Sequence, residues 1–336
     1  MKKFISLGII SVLCLFLFGC SESDKRPISK NEFLMDTICT ITLYEGDAEV
    51  IDDAFDYVRS YEKLLSRTVE DSDISKINEN SGKEPVKVDP DTAEVIKKGI
   101  HYGDITHGKF DITIEPISSL WNFGQKDARV PEQSEIDEKL PLINYRDITV
   151  NDDNTVMLNY EGQGIDLGAI AKGFIADKLK EHMIEKGVKS AVIDFGGNVV
   201  CIGEKPDGEP FKVGIQNPFL NRNEVYGIIE VKDKSVVSSG IYERFVEKDG
   251  VKYHHILDPK TGMPFENMIE QVTIISDKSV DGDGLSTSLF ALGIEDGLEL
   301  INGMEGVDAM FITRDDRVYK TEGFDEKYNY KDYEKK

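Results

Sequence analysis

The stretch Ala191-Val192-Ile193-Asp194-Phe195-Gly196-Gly197-Asn198-Val199-Val200-Cys201-Ile202 decides the fold class of this chain. Two apolar runs, residues 191–194 and 199–202, surround a Gly-Gly-Asn turn, and this pattern predicts two strands joined as a hairpin. Just before them, apolar residues at helical spacing predict a helix from about 167 to 186. Helices mixed with hairpins are typical of an α+β fold.

The same mixture continues through the rest of the chain. Asp89 and Pro90 are the expected N-cap and first residue of one helix, and Asp249-Gly250 is a strong hairpin signal. Helices are expected at 48–65, 90–104, 133–140, 283–292 and 295–302. Strands are expected at 38–44, 110–114, 148–150, 155–160, 212–216, 225–231, 234–239, 245–246, 251–256, 271–276, 307–313 and 317–321. We therefore predict a single α+β domain over residues 32–330.

Composition excludes several classes of function. The chain has 336 residues, with 40 Lys and Arg against 63 Asp and Glu, a net charge of −23. This acidic balance argues against a nucleic-acid partner and against broad adsorption to anionic lipid. Cys39 and Cys201 each lie in an apolar strand and are expected to be small buried side chains. A disulfide between them is left open by the sequence.

The N-terminus has the features of an export signal. Two lysines precede an uncharged run over 5–18, which is too short for a comfortable membrane span. Leu17-Phe18-Gly19-Cys20 resembles a bacterial lipobox. We expect residues 1–19 to be a lipoprotein signal peptide, Cys20 to carry lipid, and 20–31 to be a tether. The protein would then lie on the extracytoplasmic face of the cell membrane; an ordinary cleaved signal peptide and an uncleaved anchor are the alternatives.

The segment from Gly164 to Gly173 is the first candidate site, because it follows a predicted strand and opens a helix. Free amides at a helix start suit phosphate, and Lys172 could reach the same anion. The alternative is a helix capped by Asp166, with glycines for packing.

The segment from His255 to Gly262 is the second candidate site. It contains an adjacent His pair beside an Asp-Pro turn. Strand side chains alternate, so His254 and His255 are expected on opposite faces. The alternative is a structural histidine, with Asp258 capping the turn.

A third candidate is Asp281-Gly282-Asp283-Gly284-Leu285-Ser286-Thr287. Asp283 and Thr287 share one helical face, and a carboxylate with hydroxyls suits Mg²⁺. The alternative is an Asp N-cap with a buried Ser-Thr pair.

Two further segments have a weaker signal. In Gly108-Lys109-Phe110-Asp111, an aromatic beside a carboxylate could stack on and hydrogen-bond a heterocycle, although such aromatics are more often core residues. Gly196-Gly197-Asn198 exposes backbone in a turn, and its alternative role is simply that of a hairpin turn.

In this order, these segments resemble the FAD:protein FMN transferase family, the ApbE-type flavin transferases. The resemblance covers residues 31–325, and the lipoprotein start fits it. Its motifs are Met35-Asp36-Thr37, 109–113, 120–124, Asp166 to Gly173, Asp194 to Asn198, Ser238-Ser239-Gly240, His255 to Gly262 and Asp283 to Thr287.

The resemblance implies a Mg²⁺-dependent enzyme that binds FAD as substrate and transfers FMN to a Thr hydroxyl of a partner, releasing AMP. By position, His255 is the implied general base, and Asp283 is implied both in catalysis and as a metal ligand. The other implied Mg²⁺ ligands are Ala169, through its carbonyl, Ser286 and Thr287. The implied FAD-binding residues are Met35, Thr68, Lys109, Phe110, Asp111, Asp166, Lys172 and Leu257.

The family's acceptor pattern is Asp-x-x-Ser/Thr-Gly-Ala/Ser-Thr, and no stretch of this chain matches it. The resemblance therefore implies a separate acceptor, an extracytoplasmic redox subunit or FMN-binding domain. Three other hypotheses stay open: a Mg²⁺-dependent FAD pyrophosphatase that gives FMN and AMP, a non-catalytic flavin-binding or solute-binding lipoprotein, and a structural surface lipoprotein.

Overall fold

The structure is a computed structural model that describes residues 26–221 and 224–333. The expected signal peptide and Cys20 lie outside the described residues. Within the described ranges, no helix is both long enough and apolar enough to cross a membrane.

Helices and strands alternate irregularly along the chain, as the sequence predicts. The helices are α1 (Glu49–Leu65), α2 (Asp73–Glu79), α3 (Pro90–Ile105), α4 (Glu115–Trp121), α5 (Gln133–Lys139), α6 (Ala171–Glu185), α7 (Ser279–Leu292), α8 (Ile294–Asn302) and α9 (Phe324–Lys327). The first strands are β1 (Ile28–Leu34), β2 (Thr37–Leu43), β3 (Val86–Lys87), β4 (Ile148–Val150), β5 (Thr155–Leu158), β6 (Ser190–Phe195), β7 (Asn198–Gly203) and β8 (Phe211–Gln216). The later strands are β9 (Val225–Val231), β10 (Ser235–Gly240), β11 (Phe245–Lys248), β12 (Val251–His254), β13 (Ile269–Ser276), β14 (Asp308–Thr313), β15 (Val318–Lys320) and β16 (Lys331–Asp332).

An eight-stranded sheet organises the domain. Its strand order is β1-β2-β6-β7-β10-β13-β14-β15, and each neighbouring pair is antiparallel. The Gly196-Gly197 turn joins β6 to β7, with Asp194 opposite Val199. The hairpin with which the sequence analysis began therefore lies near the middle of the sheet.

Both faces of the sheet are covered. Helices α1, α6 and α7 pack on one face, and Ala309 and Phe311 of β14 point into that core. The small sheet β16-β9-β8 packs on the other face, where Met310 and Ile312 lie in a second core. Because both faces of β14 are buried, the residues at its centre are all apolar and do not alternate between apolar and polar.

The structure corrects four boundaries. Helix α7 begins at Ser279 and not at residue 283, so Asp283 is not its N-cap. Residues 110–114 do not form a strand: residues Ile112–Ile114 are a 3₁₀ turn that leads into α4. Asp111 caps this turn through Thr113 N, and Pro116 in the first turn of α4 favours a helix. The folded domain begins before residue 32, because β1 begins at Ile28 and pairs with β2. Helix α6 begins at Ala171 and not near residue 167.

Candidate active site

Asp283 lies where three elements meet. It is in the second turn of α7, and 5% of the residue is exposed. Its Oδ2 accepts a hydrogen bond of 2.6 Å from the backbone N–H of Gly173, at the start of α6. Its Oδ1 accepts one of 2.9 Å from Asn198 Nδ2, at the start of β7. The carboxylate is therefore fixed by one donor on each oxygen.

Burial makes this carboxylate a favourable place for a cation. Burial raises the pKa of Asp283, while the positive charge of Lys172 and the two hydrogen bonds oppose the rise. A buried carboxylate that is only partly neutralised gains stability from a further positive charge.

Ala169, whose carbonyl is the implied second oxygen ligand, lies two residues before α6. Gly173 is the third residue of that helix, so its N–H has no carbonyl partner within the helix. Here it donates to Asp283. A carboxylate and a carbonyl oxygen are hard donors of the kind Mg²⁺ prefers, so the residues present fit that ion. No group of three His, Cys, Asp or Glu side chains suited to a metal occurs in the described ranges, and the implied set contains only one such residue.

The two hydroxyls of the implied metal set differ. Ser286 is buried, and its Oγ donates to the carbonyl of Asp283 at 2.9 Å and hydrogen-bonds Ser239 Oγ at 2.8 Å. Thr287 is half-buried, one helical turn after Asp283 and on its face. Ser286 therefore fastens α7 to β10, and Thr287 is the better placed of the two to reach a ligand.

A close approach of α6 to α7 creates this arrangement. A Cβ at Gly173 would lie 2.2 Å from the carbonyl oxygen of Ser279. Only glycine lets the two helices come this near, and the same closeness brings the N–H of Gly173 to Asp283.

Asp166 lies in the loop before α6. Its Oδ1 accepts from Gly168 N at 2.9 Å, and its Oδ2 accepts from Ser118 Oγ at 2.7 Å. Arg67 Nε lies 3.1 Å from the same Oδ2. The sequence analysis missed Arg67, because a single Arg after a helix belongs to no motif; its position beside Thr68 was the only signal. Thr68 is exposed, and its Oγ1 hydrogen-bonds Ser66 Oγ at 3.0 Å.

Met35 occupies the tight turn between β1 and β2. Its φ is 52° and that of Asp36 is 57°, as expected for a two-residue hairpin turn of the kind that follows strand twist. The N–H of Met35 donates to Glu62 Oε1 at 2.8 Å, and its half-buried side chain packs against the main core. Arg244 Nη2, at 3.4 Å from the carbonyl of Asp36, links this turn to the start of β11.

Phe110 and Asp111 have structural contacts. The Phe110 residue is 4% exposed, and its ring packs edge to face on Tyr102 at 5.6 Å between centroids. Asp111 accepts hydrogen bonds from Thr113 N and Oγ1 on one oxygen and from Tyr145 N on the other. Phe110 is therefore a core residue, as the alternative in the sequence analysis states.

Lys109 is half-buried and lines a separate cavity of about 360 Å³ with Lys260 and residues 291–293. Residue 291 follows Asp283 by eight helical positions, about 12 Å along the axis. The structure therefore does not place Lys109 directly beside Asp283.

The two histidines of the 254–255 pair have different roles. His254 is buried, its Nε2 is 3.0 Å from the carbonyl of Phe265, and its Nδ1 accepts from Ile256 N. Both its nitrogens are thus occupied. His255 Nδ1 is 3.1 Å from the carbonyl of Arg244. Because a carbonyl only accepts, Nδ1 must carry the proton, and Nε2 of the neutral ring is then an acceptor.

Burial lowers the pKa of His255 to about 4, and the charges of Arg244 and Lys172 act in the same direction. At neutral pH the ring is therefore uncharged and able to accept a proton. The charge of Lys172 acts on both His255 and Asp283.

Leu257 is buried and packs in a small cluster with Ile117, Trp121 and Ile136. Trp121 Nε1 donates to the carbonyl of Gly262 at 2.9 Å, and Asp258 caps the turn through Lys260 N, as predicted. This cluster holds the segment after His255 against α4.

Cys39 and Cys201 are free and fully buried. Burial raises the pKa of each thiol to about 12. The expectation of two small buried side chains is confirmed, and the disulfide left open by the sequence is not formed.

Comparison with known proteins gives consistent results. A family model described as the ApbE family matches residues 35–311. A relative from Treponema pallidum (strain Nichols), named FAD:protein FMN transferase, is 33% identical over 337 residues, or 94% of this chain and 93% of the relative. One of the same name from Klebsiella pneumoniae (strain 342) is 34% identical over 293 residues, or 87% and 91%.

Solved structures have the same fold. The ApbE protein of Thermotoga maritima superposes with a TM-score of 0.81 at 30% identity, covering 89% of this chain and 98% of that one. The flavin transferase ApbE of Vibrio cholerae gives a TM-score of 0.80 at 26% identity, covering 90% and 99%. Since the family model spans most of the chain and relatives above 30% identity align over nearly their whole length, the chain belongs to the ApbE family.

Proposed function

We propose that this protein is an FAD:protein FMN transferase that moves FMN from FAD to a threonine hydroxyl of an acceptor protein, with Mg²⁺, and releases AMP. The observation that carries the proposal is the buried carboxylate of Asp283, which Gly173 N and Asn198 Nδ2 hold with one hydrogen bond on each oxygen. His255, whose Nε2 can accept a proton, and Lys172 supply the other groups that the reaction needs. The names of its relatives, FAD:protein FMN transferase, support the transfer of FMN from FAD to a protein.

In this reaction the acceptor Oγ forms a bond to the phosphorus of the FMN half of FAD. The bond from that phosphorus to the bridging oxygen breaks, and AMP leaves with the bridging oxygen. The threonine proton passes to Nε2 of His255, which is free to accept it because Nδ1–H donates to Arg244. Lys172 binds the pyrophosphate through its charge.

Asp283 and the carbonyl of Ala169 are the residues that would hold Mg²⁺, with Thr287 beside them. Bound there, the ion would neutralise charge that develops on the pyrophosphate. Asp166, backed by Arg67, and Met35 would border the nucleoside and flavin portions of FAD. Lys109, Phe110, Asp111, Thr68 and Leu257 remain proposed FAD-binding residues by position only, and Phe110 is only 4% exposed.

The location proposed from the sequence is also retained. A lipid on Cys20 would hold the domain at the extracytoplasmic face of the membrane, where a separate redox subunit or FMN-binding domain would be the acceptor. Support comes from the lipobox-like residues and from the start of the folded domain at Ile28, soon after Cys20.

The proposal is tested by mixing the protein with FAD, Mg²⁺ and an acceptor domain, and measuring AMP and fluorescent FMN on the acceptor band. We expect both with the unaltered protein, and a loss of several orders of magnitude for Asp283→Ala. Asp315→Ala, which removes an exposed surface carboxylate, is the control. AMP release without labelled acceptor would instead identify an FAD pyrophosphatase, and turnover by Asp283→Ala at low Mg²⁺ would contradict the metal site.

A further inference from the structure

Asn198 is a buried polar residue to which the proposed reaction assigns no role. It is the first residue of β7, directly after the Gly196-Gly197 turn, and it has no exposed surface. Its Nδ2 donates to Asp283 Oδ1 at 2.9 Å, and its Oδ1 accepts from Ser279 Oγ at 2.8 Å. Both ends of the amide are therefore in use.

The orientation of this amide is determined by its neighbours. An ionised Asp283 accepts hydrogen bonds only, so the NH₂ group has to face it. Ser279 is itself held, since its N–H and that of Val280 donate to the two carboxylate oxygens of Asp177 on α6 at 2.7 and 2.9 Å. The amide cannot rotate without breaking two buried hydrogen bonds.

We propose that Asn198 is a positioning residue for the metal site: it fixes the direction of Asp283 Oδ1 while leaving the charge of the carboxylate undiminished for Mg²⁺. The inference rests on the proposed function. A neutral amide suits this task, because a Lys or Arg at the same place would neutralise the carboxylate and compete with the ion. Each carboxylate oxygen has two acceptor positions, so one hydrogen bond on each leaves room for a metal.

Residues that orient a metal ligand commonly change metal affinity by 10- to 100-fold when removed. Asn198→Leu keeps the branching of the side chain, is larger, and removes both hydrogen bonds. Ser279→Ala keeps the donor to Asp283 and removes only the partner that orients it. The double variant, Asn198→Leu with Ser279→Ala, has no Ser279 hydroxyl left without a partner. It therefore separates weaker metal binding from the cost of a buried unsatisfied hydroxyl.

Thr321→Val is the matched control. It also removes a hydrogen bond to a buried carboxylate, from Thr321 Oγ1 to Asp308 Oδ1 at 3.0 Å, but that pair joins β14 to the segment before α9.

The probe is Mn²⁺, added to the full chain with FAD and no acceptor, and followed by loss of the free-ion EPR signal. Asn198→Leu and the double variant should weaken Mn²⁺ binding by about tenfold or more, and Ser279→Ala by less. In turnover assays, the Mg²⁺ concentration for half-maximal rate should rise by the same factor, while the rate at saturating Mg²⁺ changes little. Thr321→Val should lower only the unfolding temperature.

Equal Mn²⁺ affinity in the unaltered protein, the double variant and Ser279→Ala would overturn the role of Asn198 and leave the metal site intact. If the unaltered protein bound no Mn²⁺, both the metal site and this inference would be wrong. If Thr321→Val lost as much Mn²⁺ affinity as Asn198→Leu, the loss would come from lower stability of the whole protein. That result would also contradict the inference.

Discussion

At the scale of single residues, His254 and His255 show how neighbouring groups of the same type acquire different chemistry. Each ring has one nitrogen near a backbone carbonyl. In His254 the second nitrogen also has a partner, the N–H of Ile256. In His254 the nitrogen beside the carbonyl is Nε2, whereas in His255 it is Nδ1. Nε2 of His255 can therefore accept a proton.

The lowered pKa of His255 leads to a prediction about pH. Because burial lowers this pKa to about 4, the base form is fully populated above about pH 5. His255→Ala should lower kcat/KM by about 10²- to 10⁴-fold, less than Asp283→Ala. The ratio of kcat/KM between the unaltered protein and the variant should be constant from pH 6 to 8 and fall only near pH 4. A ratio that declines around pH 6.5 would mean that the ring titrates normally and that its surroundings have been described wrongly.

The sequence could single out the types of residue proposed for the site, but not their surroundings. Asp283, Lys172 and His255 could be singled out because each lies in a motif. That Asp111 would use both its oxygens on the backbone of Thr113 and Tyr145 could not be foreseen, since Tyr145 is 34 residues away in the chain. Arg67 was missed because its partner, Asp166, is brought to it only by the tertiary fold.

At the scale of elements, the contact between α6 and α7 determines the geometry of the site. Gly173→Ala should force the helices apart, because its Cβ would lie 2.2 Å from the carbonyl oxygen of Ser279. We expect a loss of about 1–3 kcal/mol in the free energy of unfolding and weaker binding of Mg²⁺. Urea unfolding and Mn²⁺ titration would measure the two effects.

Gly303→Ala is the control for this change, because its Cβ would meet only an ordinary contact, 3.5 Å from the carbonyl oxygen of Leu300. It should leave the free energy of unfolding within about 1 kcal/mol. Similar losses in the two variants would show that the contact between α6 and α7 is not the cause.

Asp177 caps the start of α7 with both oxygens and gives a second prediction at this scale. Burial raises its pKa to about 6, above the usual value of an unfolded chain. Between about pH 4 and 6 the folded state therefore binds more protons at this site, so its contribution to stability falls as pH rises through that window. Asp177→Asn should remove this slope and also lose one cap hydrogen bond, about 0.5–2 kcal/mol. Urea unfolding of both proteins at pH 4.5 and 7 measures the difference, and parallel pH dependence would contradict the assignment.

Most elements were predictable because their patterns are local. The hairpins at Gly196-Gly197 and Asp249-Gly250 and the Asp89-Pro90 helix start depend on turn and cap residues alone, and the structure confirms them. The strand expected at 110–114 was wrong because its apolar residues face the core from a 3₁₀ turn. Strand β1 was missed because an edge strand of polar residues has no apolar period.

At the scale of the whole molecule, the domain is a sheet covered on both faces, with its site on the helical side. The proposed anchor can be tested at this scale. Cys20→Ala should leave the protein unprocessed or release it from membranes. Cys14→Ala is the matched control, because that residue lies in the predicted signal peptide. Fractionation and lipid labelling measure the outcome, and unchanged labelling of Cys20→Ala would refute the lipoprotein prediction.

The hydrogen bonds on Asp283 join residues far apart in the chain: Gly173 is 110 positions away and Asn198 is 85. The site therefore does not exist in a nascent or unfolded chain, and forms only when β7, α6 and α7 have come together. If export takes the chain across the membrane unfolded, it carries neither FAD nor Mg²⁺ with it. Under the proposed location, the FAD that this protein uses would then have to be supplied on the far side of the membrane.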